Sequence, residues 1–149
     1  MELMVVMGIT VVLGGIGVAN YFNYQSVQVL DGAASELAGT LRDAHQRAVS
    51  QDNSSAWGVN IVNTADDSAG DYYEFFYGDS RVSGTVVSKT VLAAGLKFLV
   101  PNHQATDNKM EIVFAKSTGF PGADYTITIV SARDSSLSRT TQINKTPAL

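Results

Sequence analysis

No charged side chain occurs between Leu3 and Leu30, and a single acid, Glu2, precedes that run. From Leu3 to Ala19 every residue except Thr10 is apolar or glycine, and Asn20-Tyr21-Phe22-Asn23-Tyr24 follows directly. A helix needs ~17–25 apolar residues to cross a bilayer core about 30 Å thick. These 17 residues therefore sit at the short end of a spanning segment. The nine Leu, Ile and Val residues among them favour insertion by roughly 3–5 kcal/mol, whereas one carboxylate at mid-membrane costs about 2.5–3.5 kcal/mol. Glu2 lies at the end, where that cost is smaller, and the aromatic and amide residues after Ala19 have the composition of an interfacial belt. A secretory signal peptide is the main rival. It requires a basic n-region and a small-x-small cleavage site, and this chain offers an acid and the weak match Gly17-Val18-Ala19 instead.

Glycines sharpen the membrane reading. Gly8, Gly14, Gly15 and Gly17 would each cost a water-exposed helix ~1 kcal/mol relative to Ala, and membrane helices tolerate them better. Gly15 and Ala19 form a small-xxx-small pair that lets another helix backbone approach closely. An equal alternative is that the glycines add only local flexibility. Leu3, Val6, Gly8, Ile9, Leu13, Gly15 and Ala19 are the candidate membrane and helix-packing positions.

Helical patterning continues past this segment. Val27, Leu30, Ala34, Leu37, Leu41, Ala44 and Ala48 recur at spacings of three and four, one stripe of an amphipathic helix. Asp31, Glu36, Arg42, Asp43, Gln46 and Arg47 occupy the other face, with Asp43 and Arg47 one turn apart as an ion pair. One helix is expected from about Leu3 to near Ser50. A coiled coil would use the same spacing, but the Ala-rich stripe is short and leads into strands, so packing on the following domain is the expected use.

After the polar break Gln51-Asp52-Asn53-Ser54-Ser55 the period changes to two. Trp57, Val59 and Ile61 alternate with Gly58 and Asn60, and Tyr73, Phe75 and Tyr77 with Tyr72, Glu74 and Phe76, the pattern of half-buried strands. Further runs at 85–92, 96–100, 110–115, 125–131 and 137–143 bring the expected number to about seven. Turn residues separate them at 66–71, 78–80, Pro101-Asn102 and 119–122. The fold class is α+β: a long N-terminal helix packed on a C-terminal antiparallel β-sheet or β-sandwich. The expected segments are an apolar helix at 1–24, its amphipathic continuation at 25–52 and a β-rich domain at 53–149.

Composition narrows the chemistry. A chain of 149 residues, 45% hydrophobic, suits an anchor plus one domain large enough to bury its own core. The absence of cysteine excludes disulfides and thiolate metal sites. A net charge of −4 disfavours a general nucleic-acid surface, although Arg133, Arg139 and Lys145 against Asp134 make the C-terminal end locally basic. His45 and His103 are far apart, and His45 reads as a partly exposed imidazole on the amphipathic helix. No spacing proposes three or four converging metal ligands, a nucleophile elbow or a phosphate loop. The loop Asp66-Asp67-Ser68-Ala69-Gly70-Asp71 has oxygen ligands and a turn glycine, but it lacks the ligand spacing and terminal Glu of a calcium loop. A solvated hairpin loop is expected there. Asn144-Lys145-Thr146 is a glycosylation sequon that matters only in a glycosylating host. No catalytic residue, metal or cofactor is expected.

Glu2-Leu3-Met4-Val5-Val6, leading into a glycine-punctuated apolar helix, resembles the start of a type IV pilin or a type II secretion pseudopilin. That family opens with Phe-Thr-Leu-Ile-Glu-Leu, so Met1-Glu2-Leu3 corresponds to its last three positions with Met in place of Ile. The layout of an N-terminal helix, half membrane and half amphipathic, before a sheet domain is similar as well. Ile112-Val113-Phe114-Ala115-Lys116-Ser117-Thr118-Gly119 resembles the Phe-x-x-x-x-Gly stretch of the minor H-type pseudopilins and related minor pilins. The family's leader, cleavage-site Gly and mature N-terminal Phe are not in this sequence, so the chain is expected to begin three residues inside the mature protein. The closing Gly-Arg pattern of the H-type group is replaced by Ile143-Asn144-Lys145-Thr146-Pro147-Ala148-Leu149. The lack of a C-terminal Cys pair points away from disulfide-looped major pilins and leaves pseudopilins, minor pilins and disulfide-free major pilins.

The resemblance implies a structural filament subunit, a minor or tip component, with no enzymatic activity. Glu2 is then the subunit-assembly residue, its carboxylate pairing with the N-terminal amine of an adjacent subunit. Implied partners are other pilin or pseudopilin subunits, the inner-membrane assembly platform, membrane lipid before assembly and the prepilin peptidase acting on the precursor. The implied location is the bacterial inner membrane, single-pass with a periplasmic globular domain, and then a periplasmic or cell-surface filament. The alternative function is an anchored minor pilin whose globular domain binds DNA or another ligand, for nucleic acid through its basic C-terminal residues.

Overall fold

A single helix, α1, runs without interruption from Glu2 to Ser50, ending where the polar break predicts. The computed structural model describes the backbone of residues 2–64, 70–100 and 108–145, and the side chains of these except 2–5, 9–23 and 100. At 1.5 Å per residue the 49-residue helix is about 74 Å long. The expected stripe is the one that packs: Leu30, Leu37, Leu41, Ala44 and Ala48 are buried, and Val27 and Ala34 are half-buried. On the other face Arg47 Nε donates to Asp43 Oδ1 at 3.0 Å. The helix stops at Gln51, whose φ of 57° is left-handed, and residues 52–54 form one tight turn with Asn53 also left-handed. Asn is among the few non-glycine residues that adopt this conformation readily.

Gly32 and Gly39 lie on the exposed side of α1, and a Cβ added at either meets nothing within 4 Å. Nothing within the described fold requires glycine there. Replacing each with Ala is expected to raise stability by about 0.5–1 kcal/mol, because Ala restricts the unfolded chain and favours helix. Urea unfolding of the single and double variants checks this, and a loss of stability would show that the positions are crowded.

Among the described residues seven strands follow, close to the expected bounds: β1 (Trp57–Val62), β2 (Tyr72–Tyr77), β3 (Thr85–Val91), β4 (Leu96–Val100), β5 (Lys109–Phe114), β6 (Tyr125–Ser131) and β7 (Ser138–Ile143). They form two antiparallel sheets, one in the order β3-β2-β1-β5 and one in the order β4-β6-β7. Helix α1 packs against β1 and β5 of the first sheet and against β6 and β7 of the second. Leu30, Leu37, Leu41, Trp57, Ile61, Phe98, Ile112 and Ile129 belong to one continuous apolar core. Each such side chain stabilises the fold by ~1.5–3 kcal/mol relative to exposure.

Strand β1 departs from the simple alternation, since all six of its residues are buried. It is an inner strand with one face on the core, and its other face is covered too. Gly58 lies under the Phe76 ring, where an added Cβ would come within 2.8 Å of the ring and 2.6 Å of the Ile112 carbonyl oxygen. Asn60, expected to face water, is 5% exposed and donates to the Glu74 carboxylate at 3.2 Å.

Asp71 ties the two sheets together. Its carboxylate is 4% exposed and accepts from the Thr64 amide at 2.9 Å, the Thr64 hydroxyl at 3.1 Å and the Phe98 amide at 2.6 Å. Asn63 Nδ2 completes the junction by donating to the Phe98 carbonyl at 2.6 Å. Residues 63–64 follow β1 of the first sheet, whereas Phe98 lies in β4 of the second. Among the described residues the Tyr73 hydroxyl is the one buried side-chain polar atom without a hydrogen bond, and burial pushes its pKa up.

Candidate functional site

Among the described side chains before Leu30 none is fully buried, Ser26 and Val27 being half-buried. Val6 and Met7 are 62% and 65% exposed, and Gly8 has open space around it. Glu2, Leu3, Ile9, Leu13, Gly15 and Ala19 have helical backbone, and their side chains lie outside the described residues. Among the described residues no helix is long and apolar enough to cross a membrane. The apolar run that predicts a span falls largely outside that set.

At its other end α1 is gripped by the loop after β5. Ser117, with a left-handed φ of 74°, donates its amide at 2.9 Å to the Ala48 carbonyl, which also accepts from the Gln51 amide at 3.2 Å, so the loop shares a carbonyl of the helix's last turn. The loop then turns back, with Gly119 N donating to Ala115 O at 2.8 Å and Ala115 N to Phe120 O at 3.0 Å. Gly119 sits at φ +67°, and a Cβ there would lie 2.5 Å from Val49 and 2.8 Å from His45 Nε2. Phe114 is 3% exposed and meets His45 edge-on at 5.9 Å. The Phe114 and Gly119 positions singled out in the sequence are thus the two ends of a loop that seats on the helix.

Beside this loop is a groove of about 350 Å³ between α1, β5 and β7, lined among others by Leu41, Arg42, His45, Phe114, Phe120 and Ile143. His45 is exposed, as its place on the amphipathic helix predicts. Among the described residues no carboxylate lines the groove. Its lining combines apolar Leu41, Phe114, Phe120 and Ile143 with four nitrogen-bearing side chains, Arg42, His45, Gln142 and Asn144.

The outer face of the first sheet carries a second arrangement. The registers align Lys89, Glu74, Asn60 and Glu111 across β3, β2, β1 and β5. Arg81, in the β2–β3 loop, reaches Glu74 through Nε at 2.6 Å and Nη2 at 3.2 Å, while its backbone amide donates to Glu111 Oε1 at 2.7 Å. The Arg81 guanidinium holds the Glu74 carboxyl below the usual carboxylate range, against the opposing effect of its burial. The loop is thereby pinned across three strands, which is what buries Asn60. Sequence reading passed over this network. Its one visible signal is the acid in the otherwise aromatic strand Tyr72-Tyr73-Glu74-Phe75-Phe76-Tyr77.

No family model, curated protein or solved structure matches the chain. Among the described residues no group of three or more His, Cys, Asp or Glu is placed to hold a metal ion. His103, the sequon residue Thr146 and most of the Asp66–Asp71 loop lie outside the described residues. Within that loop Asp71 is buried rather than solvated, because amides and a hydroxyl from both sheets converge on it. Arg139 pairs with Asp31 at 2.6 Å, and the Lys145 amide, beyond the end of β7, donates to Asp124 Oδ1 at 2.6 Å.

Proposed function

We propose that this chain is a structural subunit of a type IV pilus-like or type II secretion pseudopilus filament, serving as a minor or tip component rather than as an enzyme. The observation that carries the proposal is the continuity of α1: one unbroken helix joins the uncharged N-terminal run to the stripe buried on the sheets. A subunit built this way is stored in the inner membrane with its β domain in the periplasm. On assembly the apolar half exchanges lipid for the helices of neighbouring subunits, and the β domain travels with it. The seating of Phe114 and Gly119 against the helix end supports the resemblance to minor pseudopilins with a physical role for those positions. Partners are other subunits and the assembly platform, with a prepilin peptidase acting on the precursor.

Glu2 separates assembly from simple anchorage. A carboxylate at the membrane edge is costly to bury alone and favourable when a cation of another subunit meets it. Glu2→Ala is expected to leave membrane retention intact or slightly improved, since removal of an acid lowers the insertion cost. The same change should reduce crosslinking to partner subunits about tenfold or more, because the charge that sets subunit register is gone. Fractionation and crosslinking in cells that carry the assembly machinery read both outcomes. Unchanged crosslinking would sink the assembly role.

A further inference from the structure

Where α1 leaves the β domain, a cleft of about 350 Å³ opens between the helix and the β3–β4 and β6–β7 turns, lined among others by Gln25, Ser26, Val29, Gly95, Ser131 and Arg133. Its walls are braced by the Ala132 amide on the Gly95 carbonyl at 2.8 Å and the Ser131 amide on the Leu137 carbonyl at 3.1 Å. Two acids are near, and Asp134, next to Arg133 in the chain, keeps its negative charge. Asp134 accepts from the Ser136 amide at 3.0 Å and the Ser136 hydroxyl at 2.6 Å, bonds that hold its carboxyl below the usual range. Asp31 is paired with Arg139. Among the described residues Arg133 has no ion pair, and it borders a cleft lined by the polar residues Gln25, Ser26 and Ser131 and by the apolar Val29, Ala94 and Leu96.

The helix fixes where this cleft stands. Gln25 follows Ala19, the last residue of the apolar run, by six residues, about 9 Å of helix. The polar layer on each side of a bilayer is roughly 5–8 Å deep, and a long arginine side chain extends toward it from just above. We propose that this end of the β domain docks on the bilayer surface, with Arg133 and the cleft taking the phosphate of a phospholipid headgroup. This rests on the membrane-anchored reading of α1. Docking would hold the domain upright on its helix before assembly, and extraction would release it.

The chain has no cysteine, so single labels can be placed cleanly. Full-length protein is reconstituted in vesicles of phosphatidylcholine with phosphatidylglycerol, carrying a dye on Ala94→Cys at the cleft or on Ala123→Cys in the β5–β6 loop. Quenching by headgroup-attached nitroxides is expected at position 94 and absent at 123. Arg133→Gln is expected to shift the docked population about fivefold toward undocked, the effect of one basic residue near an anionic surface. Equal quenching at 94 with and without Arg133→Gln would overturn the proposal. Loss of the signal on adding inorganic phosphate, while a dye on Met7→Cys stays quenched by acyl-chain nitroxides, would assign the cleft to free phosphate and overturn the lipid assignment. An unquenched dye at position 7 would overturn the membrane reading itself, a result distinct from failure at position 94 alone.

Discussion

Trp57→Ala is expected to destabilise the protein by about 3–5 kcal/mol, the range for deleting a large aromatic side chain from a packed core. Against a total stability of roughly 5–15 kcal/mol this is a large fraction. Trp57 is 1% exposed and stands at the corner where the helix gives way to the first strand. Its ring lies 5.0 Å from Phe75 and 5.3 Å from Tyr77, the Arg47 guanidinium sits 4.9 Å from its centroid, and its Nε1 donates to the Asp52 carbonyl at 2.9 Å. Truncation removes the packing and leaves that carbonyl only the longer bond from the Ser55 amide, at 3.3 Å. Trp57→Phe keeps most of the ring area and should cost clearly less. Because Trp57 is the sole tryptophan, unfolding is followed by circular dichroism. A loss below about 1 kcal/mol for Trp57→Ala would mean that the corner is not seated on this ring.

Asp71→Ala is the second large effect, at about 2–4 kcal/mol. Hydrogen bonds to a charged acceptor contribute about 1.5–3 kcal/mol each, and a buried donor left without a partner costs about 1–3 kcal/mol. The variant strips the acceptor from the Thr64 and Phe98 amides together, with partial relief from no longer burying a carboxylate. Asp71→Asn should fall between, since an amide side chain accepts at its oxygen but presents a donor where the carboxylate had a second acceptor. Urea unfolding gives the size, and hydrogen exchange at Phe98 gives the place. Fast exchange there in Asp71→Ala, with the β1–β2 pairing still protected, is the expected signature. Uniform exchange across both sheets would mean that Asp71 is not their joint.

Elements held by local periodicity were legible in the sequence. The stripe from Leu30 to Ala48 and the alternation at Trp57-Val59-Ile61 state directly which faces are apolar. Gln51 to Ser55 marks the helix end because polar residues there satisfy no core position. What remained hidden was non-local. Nothing in β4 says that it leaves β3 to pair with β6, since strand pairing is decided by long-range packing once turns have set the strands apart. Asp71 resembled a solvated loop acid because its donors come from positions 7 and 27 residues away. Asn60 looked exposed for a similar reason: its cover is a loop pinned by Arg81, a residue that reads as an ordinary surface cation. Of the candidate site, the apolar run and the amphipathic stripe were visible, whereas the cleft at Arg133 was not. Its walls are two turns that only the sheet topology brings beside the helix.

Because α1 shares a core with both sheets, the helix determines an azimuth as well as a height. A rod with 3.6 residues per turn rotates whatever is fixed to it by about 100° for every residue inserted, and displaces it by 1.5 Å. One residue added between Ala19 and Leu30 would therefore swing the whole β domain more than a quarter turn around the axis, presenting a different flank to any neighbour, for almost no change in distance. Seven residues added would lift the domain about 10 Å yet return it to within about 20° of its starting direction. Angular phase, rather than reach, is the quantity that the unbroken helix holds constant.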